Sequence, residues 1–251
     1  VCCNYQHNDA FPGSHPLYVG PLGYNGSKAA MELISNADTV LALGTRLNPF
    51  STLPGYGLDY WPNSAKLIQV DINPERIGLT KPVEVGISGD VKKTVEGILK
   101  NLSSDAGNKG RQKRVELIAK KKASWSEALS SMDHEDDDPG TSWNERARDK
   151  QPTYMSPRMG WRAIIKALPI EAIISSDIGN NCAIGNAYPT FEEGRKYLAP
   201  GLFGPCGYGF PSIIGAKIGN PDTPVVGFAG DGAFGISMNE MTAVGREEWP
   251  A

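Results

Sequence analysis

Apolar residues fall along this chain in short runs separated by amphipathic stretches, which is how alternating strands and helices are written. Thr39-Val40-Leu41-Ala42-Leu43-Gly44 is a brief apolar run closed by glycine, and Lys66-Leu67-Ile68-Gln69-Val70-Asp71-Ile72 is a second. Val83, Val85 and Ile87 recur at every other position like a third strand. Ser27 to Ile34 reads as a helix. Asp90 reads as the cap of another, with Val91, Val95, Ile98 and Leu99 on one face, because a side-chain oxygen there accepts from the open N–H groups of the first turn. Residues 1–102 are therefore expected to form one Rossmann-like α/β layer.

The pattern changes from residue 103 to 155. Gly107-Asn108-Lys109-Gly110, the basic run Lys120-Lys121-Lys122 and the acidic run Glu135-Asp136-Asp137-Asp138 describe solvated surface, although Trp125, Leu129 and Met132 stand at helical spacing. This stretch reads as a charged connector. Ser156-Pro157 then opens a second unit, as a cap followed by proline at the first helical position, with Trp161, Ile164, Ile165 and Leu168 as the apolar face. Ala172 to Asp177 is its first strand and Pro224 to Ala229 another. The expected architecture is α/β, with two parallel-sheet Rossmann-like domains, 1–102 and 156–251, joined by the connector. The chain begins Val1-Cys2-Cys3 and stops at Glu248-Trp249-Pro250-Ala251 as a helix hands over, so we expect both domains to be truncated pieces of a longer polypeptide.

Composition narrows the partners. The 251 residues are 40% apolar and 21% charged with a net charge of −3, and no basic cluster is interleaved with aromatics, so neither nucleic acid nor an anionic membrane is the expected partner. A small molecule is. No apolar run approaches the roughly 18 residues of a membrane span, and the N-terminus lacks the features of a signal peptide, so a cytoplasmic location is expected. Cys2, Cys3, Cys182 and Cys206 have neither the density of a disulfide framework nor the spacing of a zinc site, and they read as reduced thiols.

Both strands of the second unit stop at polar, glycine-containing turns. One is Ile178-Gly179-Asn180-Asn181 and the other Gly230-Asp231-Gly232-Ala233. Ligands of open parallel sheets sit beyond the carboxyl ends of the strands, so a cofactor is expected here. The second turn offers backbone groups that can approach an anion and one carboxylate for a hard cation; magnesium, usually held by one or two protein groups plus phosphate oxygens, suits such a turn, with Asp231 as the ligand. Ser237 followed by Glu240 reads as a capping box, which would start a helix with Met241 and Val244 inward, a short loop after the site. A second glycine-rich loop, Gly204-Pro205-Cys206-Gly207-Tyr208-Gly209-Phe210-Pro211, opens a helix carrying Gly215-Ala216.

Taken together, Gly204 to Ala216, Pro221 to Pro224 and Val225 to Arg246 resemble the diphosphate-binding domain of the acetolactate synthase and pyruvate oxidase superfamily of thiamine diphosphate enzymes. Phe11-Pro12, His15-Pro16-Leu17, Gly44-Thr45-Arg46 and Val70-Asp71-Ile72-Asn73 resemble that superfamily's central domain. The resemblance implies thiamine diphosphate and Mg2+ as cofactors, Asp231 as a metal ligand, and cofactor contacts from Gly179, Asn180, Asn181, Gly204, Cys206, Gly207, Gly230, Gly232 and Ala233. Asn180 or Asn181 would donate to phosphate oxygens, with an ordinary turn asparagine as the competing account. Where many relatives carry a bulky apolar residue that props the cofactor into its bent form, this chain has Cys206, which reads as a looser prop, as room left for a particular substrate, or as a small buried thiol filling a gap. Arg46 and the Asp71-Ile72-Asn73 turn match flavin positions of some relatives and read as a degenerate nucleotide site, while His7 and His15 read either as general acids or substrate-binding groups or, at least as readily, as surface or structural histidines.

Asn4-Tyr5-Gln6-His7-Asn8-Asp9, Leu47 to Gly57 and Phe203 to Pro211 narrow the likeness to the acetyltransferase branch that acts on sulfoacetaldehyde. That branch implies sulfoacetaldehyde and phosphate as substrates, acetyl phosphate and sulfite as products, and a thiamine diphosphate carbanion as the agent, in the breakdown of sulfonates. It also implies a homo-oligomer with active sites between subunits. The activating glutamate and the asparagine completing the metal set are expected outside this stretch, which would then be inactive alone. The alternatives are a pyruvate-consuming acetolactate synthase and a non-catalytic nucleotide-binding module; the latter lacks a clean G-x-G-x-x-G after a strand.

Overall fold

The computed structural model describes residues 1–23, 26–134, 157–201 and 203–249. The chain forms two compact units, one of Val1–Tyr5 with Ser14–Lys122 and one of Gln6–Gly13 with Ala123–Ala251. All strand pairing among the described residues is parallel apart from one isolated antiparallel bridge between Gly55 and Leu58. This is the α/β parallel-sheet class expected from the alternation.

In the first unit β1 (Cys2–Asn4) lies beside β2 (Gly20–Leu22), and β3 (Thr39–Leu43), β4 (Lys66–Asp71) and β5 (Val85–Ser88) form a sheet in that order. Helix α1 (Lys28–Ile34) starts where Ser27 Oγ accepts from Ala30 N at 3.3 Å, while the same hydroxyl donates to Val19 O at 2.9 Å. A short α2 (Pro49–Thr52) follows β3. Asp90 caps α3 (Val91–Asn101) by accepting from Lys93 N at 2.9 Å, as its sequence position requires. Leu99 does not join the inward face expected of it: it is 63% exposed, whereas Val91, Val95 and Ile98 are half-buried. The core is Ala42, Leu47 and Leu67 with Val40, Trp61 and Val83 against it.

Gln69 holds the carboxyl end of this sheet. Its amide donates to Thr45 O at 2.9 Å and Arg76 O at 3.2 Å and accepts from Gly78 N at 2.9 Å, so one buried side chain ties two loops to β4. Truncation removes all three bonds and leaves a cavity at a buried position, while water can reach the exposed Arg76 and Gly78 to replace two of the bonds. Gln69→Ala in the full-length protein is expected to lower the stability of this unit by roughly 2 kcal/mol, read as a lower urea midpoint at unchanged slope.

Helix α4 (Arg111–His134) fills much of the stretch read as connector, and within it Leu129 is buried while Trp125 and Met132 are half-buried. Lys121 of the basic run is not simply solvated, since its Nζ lies 2.6 Å from Glu32 Oε2. The acidic run Glu135 to Asp138 and the cap Ser156 lie outside the described residues.

In the second unit the strand order is β7 (Tyr197–Leu198), β6 (Ile173–Ser176), β8 (Val225–Phe228). Central β6 is buried at every position because successive side chains enter opposite faces, both of them covered. Ile173 packs with Ile213 and Val225, whereas Ile174 packs with Phe191 and Tyr197. The helices are α5 (Pro157–Ala167), α6 (Asn180–Gly185), α7 (Gly209–Gly219), α8 (Asp231–Ser237) and α9 (Met241–Glu247). On α5 Trp161 is buried, but Ile164 of the expected apolar face is 41% exposed.

Residues Gln6–Gly13, distant in sequence, are stitched into this second unit. Gln6 Nε2 donates to Pro200 O and Gly201 O at 3.0 and 2.8 Å, Asn8 Nδ2 donates to Asn186 O at 3.1 Å, and Asp9 Oδ2 accepts from Lys196 N and Tyr197 N at 2.8 and 3.1 Å. Asp9 thereby satisfies backbone donors at the start of edge strand β7.

Candidate functional site

Three glycine-containing segments meet at the carboxyl ends of β6 and β8. After β6 the chain turns at Gly179, whose φ of 108° is open to glycine far more readily than to residues with a Cβ, and α6 begins at Asn180. After β8 it turns at Gly230 and α8 begins at Asp231. The turns are neighbours: an atom built as Cβ on Gly230 would lie 3.6 Å from Asn181 Nδ2. The loop between β7 and α7 completes the group. A Cβ on Gly204 would lie 3.7 Å from Ile178 Cδ1, and one on Gly207 would lie 2.8 Å from Ile236 Cγ2 of α8. Phe210 and Phe234 meet edge to face with centroids 5.3 Å apart, so α7 and α8 are packed together beside the turns.

The start of α8 differs from the sequence expectation. No loop separates Gly230-Asp231-Gly232 from a helix, because Gly230 is itself the N-cap and Asp231 the first helical residue. Ser237 and Glu240 make no capping box: Ser237, at φ −118° and ψ 8°, joins α8 to a short 3-10 turn (Met238–Glu240) and its side chain caps nothing. Capping requires an extended residue with open N–H groups ahead of it, and here the preceding turn is already helical. Met241 correspondingly faces solvent at 54% exposure, and Val244 is half-buried.

Asp231 is exposed and enters no ion pair among the described residues. Gly179, Asn180, Gly232 and Cys206 are exposed, Asn181, Gly204, Gly207 and Gly230 half-buried, and Ala233 buried beneath the turn. A Cβ on Gly179 or Gly232 would meet nothing within 4 Å, which leaves open space above both turns for a ligand. Burial raises the Tyr208 phenol above its usual range, and burial and the nearby Asp177 charge raise the Cys182 thiol. Both groups are therefore protonated at neutral pH, and neither competes with Asp231 for a cation.

Sequence reasoning passed over Asp177. It is fully buried at the end of β6, and its Oδ1 accepts from Ile178 N at 2.8 Å and Gly207 N at 3.1 Å while Oδ2 accepts from Gly209 N at 2.6 Å. One carboxylate thus fastens the first turn to the glycine-rich loop. The signal was present in the sequence, since an acidic residue ending an apolar strand immediately before a glycine turn needs buried donors. His15, by contrast, serves its own turn, with Nδ1 accepting from Leu17 N at 3.1 Å.

Two glycine turns at adjacent strand ends, an open space above them and one unpaired carboxylate form a cradle suited to a metal-bridged diphosphate. The profile described as thiamine pyrophosphate enzyme, central domain, matches residues 1–98, and that described as thiamine pyrophosphate enzyme, C-terminal TPP binding domain, matches residues 177–251. The chain belongs to the thiamine pyrophosphate enzymes. The second match begins at Asp177 and takes in all three segments of the cradle. Among curated relatives, sulfoacetaldehyde acetyltransferase of Roseovarius nubinhibens is 76% identical over 251 residues, covering 100% of this chain and 42% of the relative. The protein of that name from Castellaniella defragrans is 44% identical over 255 residues, again covering 100% of this chain and 42% of the relative. A probable acetolactate synthase large subunit of Methanocaldococcus jannaschii is 28% identical over 250 residues, covering 100% of this chain and 39% of its own length. The chain thus spans about two fifths of the length of these relatives.

Proposed function

We propose that the full-length protein is a thiamine diphosphate- and Mg2+-dependent acyltransferase that converts sulfoacetaldehyde and phosphate to acetyl phosphate and sulfite. The observation that carries this reading is identity of 76% and 44% along the whole chain to proteins named sulfoacetaldehyde acetyltransferase, against 28% to an acetolactate synthase. The cradle adds support, because its donors suit the cofactor's diphosphate and its carboxylate suits the cation. When bound, thiamine diphosphate supplies a nucleophilic carbon and an electron sink.

The residues of this chain hold and orient. Asp231 takes one position on the magnesium ion, and Gly230, Gly232 and Ala233 bring backbone close to the diphosphate. Gly179 with Asn180 or Asn181 supplies donors from the opposite turn, and Gly204, Cys206 and Gly207 wall the third side. The glutamate that activates the aminopyrimidine belongs to a part of the protein outside this chain. The active form is a homo-oligomer with its sites at subunit interfaces, acting in the cytoplasm on small molecules. Among the described residues no helix is long and apolar enough to cross a membrane.

The test uses the full-length protein with thiamine diphosphate, Mg2+, phosphate and sulfoacetaldehyde, following sulfite and acetyl phosphate. Equimolar release of both is expected. Turnover of pyruvate without sulfite release would replace this reading by the acetolactate synthase one.

A further inference from the structure

We propose that Asp177 is a positioning residue that pre-forms the diphosphate cradle, holding the Gly204–Gly209 loop in its binding conformation before any cofactor arrives. The inference rests on the cofactor reading above and adds to it a residue that touches neither metal nor substrate.

The geometry argues for this role over a general one in the core. Three backbone N–H groups converge on a single fully buried carboxylate, and they come from two different segments of the site, Ile178 from the first turn and Gly207 and Gly209 from the loop. A buried carboxylate is costly unless donors surround it, and a cluster of unpaired buried N–H groups is costly without an acceptor, so each fixes the other. Gly209 leaves no room for an alternative, since a Cβ there would lie 3.1 Å from both Asp177 Cβ and Asp177 Oδ2. Gly207 is held at φ 84° on its far side by Ile236, so the loop is gripped between Asp177 and α8. The N–H groups of Gly207 and Gly209 are consumed by the protein itself. Diphosphate contacts therefore fall to the other groups of the cradle, and Asp177 governs where those groups stand.

Asn at this position has one oxygen for three donors, so whichever way its amide turns, at least one backbone N–H faces an NH2 group. In the full-length protein, Asp177→Asn is expected to weaken thiamine diphosphate binding, titrated calorimetrically at saturating Mg2+, by about 10- to 100-fold, the range found when a group supporting a binding shell is removed. At saturating cofactor, kcat should stay within about twofold of wild type, because the reacting groups are untouched. Ser175→Ala is the control. It breaks the 2.6 Å hydroxyl pair between Ser175, in the strand that Asp177 follows, and Ser212 of α7, while leaving Ser212 Oγ free to keep donating to Gly209 O at 2.8 Å and all three Asp177 bonds in place. It should leave cofactor affinity unchanged.

Equal affinity in Asp177→Asn and wild type, or an equal loss in Ser175→Ala, overturns the proposal. Hydrogen exchange on the cofactor-free wild type tests it without a variant: amides of residues 204–210 should be as protected as in the loaded protein, and a loop that gains protection only when cofactor binds overturns the proposal too. If the wild type binds no thiamine diphosphate, the cofactor reading falls first; if it binds and the variant binds equally well, this inference alone falls.

Discussion

An Asp231→Asn variant of the full-length protein is expected to lose Mg2+-dependent thiamine diphosphate binding by at least about 100-fold while remaining folded, so that activity disappears at ordinary cofactor concentrations. The substitution keeps an oxygen in place and removes the charge that pairs with the cation. Its structural cost is small. Asp231 is exposed at the first turn of α8, where a negative charge contributes about 0.3–1 kcal/mol through the helix dipole, and it makes no ion pair among the described residues. Stability and binding are thus predicted to separate, which is the mark of a residue retained for a ligand. Thermal unfolding of the cofactor-free variant alongside a calorimetric Mg2+ and cofactor titration checks both halves. A variant that binds as tightly as wild type would remove Asp231 from the metal site.

The parts of this structure that could be read in advance are those whose physics is local. Asp90 announces a helix because a cap acts within three residues, and the apolar runs that became β3, β4, β6 and β8 announce strands because each is a short apolar stretch with a polar or glycine residue at its end, although of the four only β6 is buried at every position. The glycine turns were legible for the same reason, and α8 was misplaced only because Ser237 and Glu240 imitate a cap within a stretch already helical. What stayed hidden joins distant residues. Asp9 caps β7 from 187 and 188 positions away, and Asp177 reaches Gly207 and Gly209 from 30 and 32. Nothing in the spacing of one segment reports the donors of another, so a buried carboxylate appears in sequence as an isolated acid. The second unit's recruitment of Gln6–Gly13 was invisible on the same ground.

Trp161→Ala is expected to cost about 3–5 kcal/mol of stability and to loosen the cradle from below. The Trp161 ring is buried and stacked on Phe228 at 3.8 Å between centroids, and Phe228 is the last residue of β8, immediately before the turn that carries Asp231. The indole also presses against α6, where a Cβ on Gly185 would lie 2.4 Å from Trp161 Cζ2. One ring therefore spans the elements behind both glycine turns. Removing it opens a cavity under Phe228 and α6 together, and a fall in cofactor affinity should accompany the fall in stability. Gly185→Ala should destabilise by the opposite route, driving a methyl into a rigid ring in a packed interior. Because the two changes act on the same space, they should not add: with the indole gone the methyl has room, and the double variant should be more stable than the sum of the single losses predicts. Urea unfolding of wild type, both single variants and the double variant measures this coupling. Strict additivity would show that Trp161 and Gly185 do not share the contact on which the support of both turns depends.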